Sequence, residues 1–304
     1  VCSSDLENSG SQNEMLPLFL PFILKGKEKN MGNIYIKNKW LPYLLILPTI
    51  LLICIFKIYP IFDSVIQGFL SKDGELTINN YELLFADKIF WESLAVTVKF
   101  NVIIIPFQII VAFAMAMIVN VKVKGIELFR TIFYLPFCIS LTVATVIWQT
   151  MLNVNNGVMN SILGIFGIGK VGFLIDKKWA LLSIILIASW RGCAYWMMFF
   201  LAGLKGIDTS VYESAKIDGS GFFSTLFRIT LPLLKNTMIF VIIANTTANF
   251  LLFAPIQIAT EGGPQGSTNV LMYEAYKSAF KYSNRPRQAC IVTILLVIDR
   301  KSVV

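Results

Sequence analysis

The sequence predicts an all-α protein that crosses a membrane several times. Three observations carry that prediction. Of 304 residues, 56% are hydrophobic and only 14% charged, with a mean hydropathy of +0.69. A soluble domain is about 45–50% apolar and about 25% charged. Five apolar runs are long enough for a membrane-crossing helix, which needs about 20 residues. The charged residues gather between the runs rather than within them.

The first run is Trp40 to Ile61, with Lys57 near its outer end. The second is Leu94 to Val119, with Pro106 inside, and the third is Thr131 to Trp148. The fourth and fifth are Trp179 to Leu204 and Met238 to Ile258. A sixth begins at Ala289 and stops at Ile298. At about 1.5 Å per residue it covers half of a bilayer core of about 30 Å. Six transmembrane helices are therefore expected, the sixth truncated.

Both ends of the chain read as foreign to it. "VCSSDL" and "DRKSVV" resemble translated sequencing-adapter DNA. Residues 1–30 read as an upstream leader, Met31 as the expected start and residues 299–304 as an artefact tail. A signal peptide does not fit, because its charged region should precede its apolar region and here the order is reversed.

Composition also limits the chemistry. Histidine is absent, and Cys54, Cys138, Cys193 and Cys290 lie in apolar runs without metal-like spacing. They read as small packing residues, and no catalytic residue, cofactor or metal site is expected. The net charge of +8 is spread through short loops rather than gathered on one face. That suits anionic membrane lipid better than nucleic acid. Lysine and arginine are equally numerous in the two sets of loops, so charge bias leaves the orientation open.

One loop breaks the pattern: "YESAKIDGSGFFSTLFRITLP", residues 212–232, is charged and broken by glycine between apolar runs. Ser210 and Glu213 have capping-box spacing, predicting a helix from about Thr209 to Asp218. Gly219 can end it in the left-handed conformation, and Ser220 can cap a second helix. Phe222, Leu226 and Thr230 share one stripe, with Phe223 and Phe227 beside it. Pro232 disfavours helical geometry at Leu231 and is expected to close the segment. Two readings follow. The hairpin lies on the membrane surface, or its phenylalanine face anchors it while Glu213, Lys216 and Asp218 meet a soluble partner.

The same stretch resembles the E-A-A-x-x-x-G-x(9)-I-x-L-P loop of inner-membrane permeases of ABC importers. Glu213, Ala215, Asp218, Gly219, Ile229, Leu231 and Pro232 fall on that motif, while Ser214 and Ser220 replace its usual alanines. Asn236 stands where the family commonly has proline. "LPYLLILPTILLICIFKIYPIFDSVIQGF", "INNYELLF", "ELFRTIFYLPFCIS", "WMMFFLAGLKGI" and "FAPIQIATEGGPQGST" resemble the carbohydrate-importer branch, and its first permease more than its second. "SNRPRQACIV" departs most, with Arg285 and Arg287 where the family has glycine and small residues.

The resemblance implies a type I importer core over residues 92–298, with the first helix and outer loop, residues 31–91, added. It implies a cytoplasmic coupling loop at residues 208–232, sited in a cleft of a separate ATPase. The expected partners are a second permease, an ATPase dimer and an extracytoplasmic solute-binding protein. The expected location is a prokaryotic cell membrane. The expected solute is a sugar or a polyol-like compound such as glycerol phosphate. An ion-coupled secondary transporter is the alternative; it predicts intramembrane carboxylates, which these runs lack.

Arg191 lies near the middle of the fourth run, where a charge costs several kcal/mol unless it faces protein or water. It either touches a solute hydroxyl or anion, or binds carbonyls structurally; the structural reading is favoured. Asn245, Thr246 and Asn249 in the fifth run and Gln149 in the third suit a sugar path or interhelical contacts. Trp190 can stack on a pyranose or sit at a membrane interface. Asn101 and Gln108 mark the second run.

Overall fold

The computed structural model describes residues 41–71, 74–121 and 123–303. The expectations for residues 1–30, for Met31 and for a first span starting at Trp40 lie outside them. Among the described residues there is no β-strand, only one isolated antiparallel bridge between Leu70 and Leu76.

The chain divides into two units after Lys57. In the first, α1 (Leu41–Ile53) is apolar and its residues from Tyr43 to Ile53 are exposed; a π-type stretch, Cys54–Ile58, follows α1. The second contains α2 (Tyr59–Gly68), α3 (Asn79–Ala86), α4 (Lys88–Val119), α5 (Ile126–Cys138), α6 (Leu141–Met151), α7 (Val158–Ile165) and α8 (Lys177–Lys205). Then come α9 (Thr209–Ile217), α10 (Phe222–Thr225), α11 (Leu231–Leu233), α12 (Lys235–Phe250), α13 (Ala254–Ala259), α14 (Leu271–Tyr276) and α15 (Arg285–Val303).

Four helical stretches are long and apolar enough to cross a membrane: Tyr43–Gly68, Lys88–Val119, Lys177–Lys205 and Lys235–Ala259. A fifth is reached if α5 and α6 count together, and the expected count of six is not reached among the described residues. The third expected span is not one helix: α5 and α6 meet at 94°. Ile139 and Ser140 are extended there, and Ser140 Oγ accepts a hydrogen bond from the Val143 N–H, starting a new helix. Pro136 in the last turn of α5 already weakens helix continuation. The length of the apolar run hid this break.

The core has two apolar layers stacked along α4 and α8. Phe100 and Ile104 of α4 pack with Ile184, Ile187 and Ala188 of α8 and with Tyr273. Farther along, Ala112, Ala116 and Val119 pack with Met197, Phe200 and Leu204, and with Leu234 and Val241. Large side chains alternate with alanine across this seam, so the two long helices can approach closely. Gln108, Arg191, Asn245 and Asn249 fall between the layers in sequence, interrupting both.

A third cluster joins Leu84 and Phe90 to Leu271, Cys290 and Ile291 at the start of α4. An ion network sits beside it. Asp87 caps α4 by accepting from the Ile89 N–H at 2.8 Å, and its other oxygen accepts from Arg287 at 2.6 Å. Arg287 also donates to Glu274 at 2.7 Å, and Glu274 pairs with Lys277 at 2.7 Å. The pairs balance two acids against two bases. Glu274 is only 1% exposed, and Asn269 hydrogen-bonds it at 2.8 Å. Arg287, which departs from the resembled pattern, is thus the hub that ties α4, α14 and α15 together.

Candidate functional site: a coupling loop and a polar cavity

The loop after α8 is a folded hairpin. α9 starts at Thr209, as expected, but Asp208 caps it, with Oδ1 accepting from the Ser210 N–H at 3.0 Å. The Ser210–Glu213 capping box is not formed, because the carboxylate two residues earlier takes the free N–H first. That bond holds the Asp208 carboxyl below its ordinary pKa. Glu213 is therefore released from the capping role, and it is exposed with Lys216 and Asp218, while Ala215 is buried.

Gly219 has φ +73°, and the Ser220 N–H returns to the Ala215 carbonyl at 2.9 Å, closing α9 in the left-handed manner. Ser220 does not cap the second helix; its Oγ accepts from Thr225 Oγ1 at 3.1 Å, and Gly221 holds the cap position. Pro232 does not close the segment either. A π-type turn, Leu226–Thr230, precedes it, and Leu231 stays helical. The wider turn relieves the contact a proline ring makes with the carbonyl four residues back. Tyr212 and Thr230 meet at 3.4 Å and tie the two arms together. Ile229 and Leu231 are half-buried and Pro232 is exposed.

The phenylalanine face borders the membrane helices. Phe222, Leu226 and Phe227 line an apolar cavity of about 530 Å³ with Phe113 and Met117 of α4. The hairpin thus turns an apolar, still largely exposed face toward the cavity beside α4, and its charges are exposed too.

A second cavity, of about 380 Å³, opens between the two core layers. It brings together three of the six proposed path residues, Arg191, Asn245 and Asn249, with Gln108, Tyr195 and Trp196. Gln108, Asn245 and Asn249 are 2%, 0% and 6% exposed. Asn249 Nδ2 donates to the Asn245 backbone carbonyl at 2.9 Å. A carbonyl can only accept, so this bond fixes which end of the Asn249 amide is nitrogen. The same nitrogen reaches Asn245 Oδ1 at 2.7 Å and Gln108 Oε1 at 3.0 Å. The Asn245 and Gln108 amide nitrogens are the ends left over, and Asn245 Nδ2 is buried without a partner among the described residues.

Arg191 makes the carbonyl contact of the structural reading. Its Nε donates to the Ile139 carbonyl at 3.1 Å, a group freed by the α5–α6 break, and its guanidinium lies 4.6 Å from the Phe137 ring centroid. It also lines the cavity, held at its edge by those two contacts.

The other three path residues lie elsewhere. Thr246 bonds back to the Ile242 carbonyl at 2.7 Å. Gln149 lines a separate recess with Asn153 and Asn156, and Trp190 stacks edge-on against Trp148 and lines another with Phe107 and Cys193. Tyr195 and Gly192 were missed by sequence reasoning. A Cβ at Gly192 would come within 2.6 Å of Gln108 Nε2, so only glycine there leaves the glutamine room.

Comparison with known proteins agrees with this architecture. The lactose transport system permease protein LacF of Rhizobium radiobacter is 34% identical over 272 residues, covering 87% of this chain and 90% of that protein. The sn-glycerol-3-phosphate transport system permease protein UgpA of Agrobacterium fabrum is 33% identical over 275 residues, covering 88% and 94%. A chain of a bacterial alginate ABC transporter, solved with an alginate pentasaccharide-bound periplasmic protein, superposes with a TM-score of 0.80 at 24% identity, covering 88% and 93%, and shares the fold. Residues 108–298 match the family described as binding-protein-dependent transport system inner membrane component. The chain belongs to that family: it is a membrane-embedded permease component of a binding-protein-dependent importer.

Proposed function

We propose that this chain pairs with a second permease to form a path for a sugar or a polyol-like solute. A cytoplasmic ATPase dimer drives the path through residues 208–232, and an extracytoplasmic binding protein delivers the solute. The chain itself makes and breaks no bonds. The observation that carries the reading is the placement of one long helix, α8. It lines the polar cavity at Arg191 and ends, fourteen residues later, at the hairpin that exposes Glu213, Lys216 and Asp218. A rigid rod of about 21 Å then joins a surface suited to a soluble partner to a cavity suited to a polar solute.

Relatives named for lactose and for glycerol 3-phosphate support a hydroxyl-rich cargo. The ion-coupled alternative loses its ground once the chain is placed in a binding-protein-dependent family. Arg191, Asn245, Asn249 and Gln108 are assigned to the path; Thr246, Gln149 and Trp190 have contacts that a structural role explains.

The test is uptake by the assembled transporter in proteoliposomes. Glu213→Gln removes a charge that caps nothing, and at least a tenfold loss of ATPase association is expected. Gly192→Leu fills the cavity, and uptake is expected to fall at least tenfold while the ATPase still associates. Full association and full uptake in both variants would refute the assignment.

A further inference from the structure

The cavity offers hydrogen-bond donors and a positive charge, with no acid to balance them. Arg191 contributes its guanidinium, and among the described residues only Nε has a hydrogen-bonding partner, the Ile139 carbonyl. Gln108 and Asn245 turn their oxygens to Asn249, an orientation dictated by the Asn245 backbone carbonyl. Their amide nitrogens remain, and Asn245 Nδ2 is fully buried with no acceptor among the described residues. No aspartate or glutamate lines the cavity.

The acceptors in the lining, the Asn249 amide oxygen and the Tyr195 hydroxyl, are neutral, so hydroxyls can be met here but nothing offsets the charge of Arg191. Arg191 is half-buried near the middle of a long apolar helix, with one carbonyl and one ring as partners and no acid in the cavity lining, so an arriving anion would offset its charge. Guanidinium and amide N–H groups are the donors that match the oxygens of a carboxylate or phosphate, and this one cavity is lined by a guanidinium and two such amides.

We propose that the solute carried through this cavity bears an anionic oxygen group, a carboxylate or a phosphate, held by Arg191 with the Gln108 and Asn245 amides. This rests on the cavity being part of the path. It narrows the cargo from any hydroxyl-rich solute to a sugar acid or a phosphorylated polyol.

Trp196 lines the same cavity and can report its occupancy. The experiment titrates the assembled, detergent-purified transporter with matched pairs: glucuronate against glucose, and glycerol 3-phosphate against glycerol. The signal is tryptophan fluorescence lost in a Trp196→Phe control. One anionic member is expected to saturate the signal at a concentration at least tenfold below its neutral partner. The winning pair tells carboxylate from phosphate. Arg191→Gln is expected to erase the difference and Arg191→Lys to restore most of it.

Equal responses to charged and neutral members, or a preference that survives Arg191→Gln, overturn the proposal while leaving the cavity as a solute site. If no solute changes the signal and Gly192→Leu also leaves uptake intact, the cavity is not the path and both readings fall.

Discussion

Arg287 holds two acids at once, Asp87 at 2.6 Å and Glu274 at 2.7 Å, and its side chain is 17% exposed. Burial pushes the Glu274 carboxyl up, but hydrogen bonds from Lys277, Asn269 and Arg287 outweigh it and hold the pKa below its ordinary value. The sign follows from that direction. The unfolded glutamate binds protons first as pH falls, so the stabilisation is complete above its ordinary pKa of about 4.3 and is lost as pH falls through the lower folded value. Thermal unfolding of the purified transporter should therefore be flat between about pH 8 and pH 5 on this account, with acid loss only below about 4.3. Arg287→Gln leaves the buried Glu274 carboxylate with Lys277 and Asn269 only. A loss of about 3 kcal/mol is expected, and because the folded pKa rises toward the unfolded one, the further loss on acidification shrinks. An unchanged melting curve across pH in that variant would remove the network from the stability of the outer helices.

The hairpin at residues 208–232 shows how far side-chain chemistry within a few residues decides local structure. Its first helix, its glycine stop and its apolar face were legible, because each follows from side-chain chemistry within four residues. Gly219 at φ +73° is the clearest case. A β-carbon in that conformation costs about 1–2 kcal/mol. Gly219→Val should loosen the turn, lower ATPase association several-fold and leave the membrane helices folded by circular dichroism. Full association in Gly219→Val would show that the turn is not needed. The cap and the proline were misread for a shared reason. Asp208 competes with Ser210 for one N–H, and a π-type turn lets Leu231 stay helical before Pro232. Both outcomes depend on which of two local options the surrounding fold permits, and spacing alone does not decide that.

At the scale of the whole molecule, the sequence made the apolar runs plain but not what interrupts them. The α5–α6 break needs Arg191, 52 residues away, to satisfy the Ile139 carbonyl. The cavity needs Gln108 and Asn249, 141 residues apart, to meet. Such contacts leave no periodic trace, and so Thr246, Gln149 and Trp190 could not be told from Asn245 and Asn249 before the helices were placed.

The same long-range packing makes a prediction about transmission. α8 and α12 meet where the hairpin leaves and rejoins the bundle. A Cβ at Gly203 would lie 2.8 Å from Leu234 Cδ2 and 2.9 Å from Thr237 Oγ1. Small residues are what allow such close approach in membrane helices. Gly203→Leu should pry α8 from α12 without touching the cavity or the exposed face of α9. ATPase association should persist while uptake falls at least tenfold, separating the motor from the path. If uptake stayed coupled to ATP hydrolysis in Gly203→Leu, force would have to pass through the apolar face that Phe222 and Phe227 present to the cavity beside α4 instead. The double substitution Phe222→Ala and Phe227→Ala would then be the variant that uncouples.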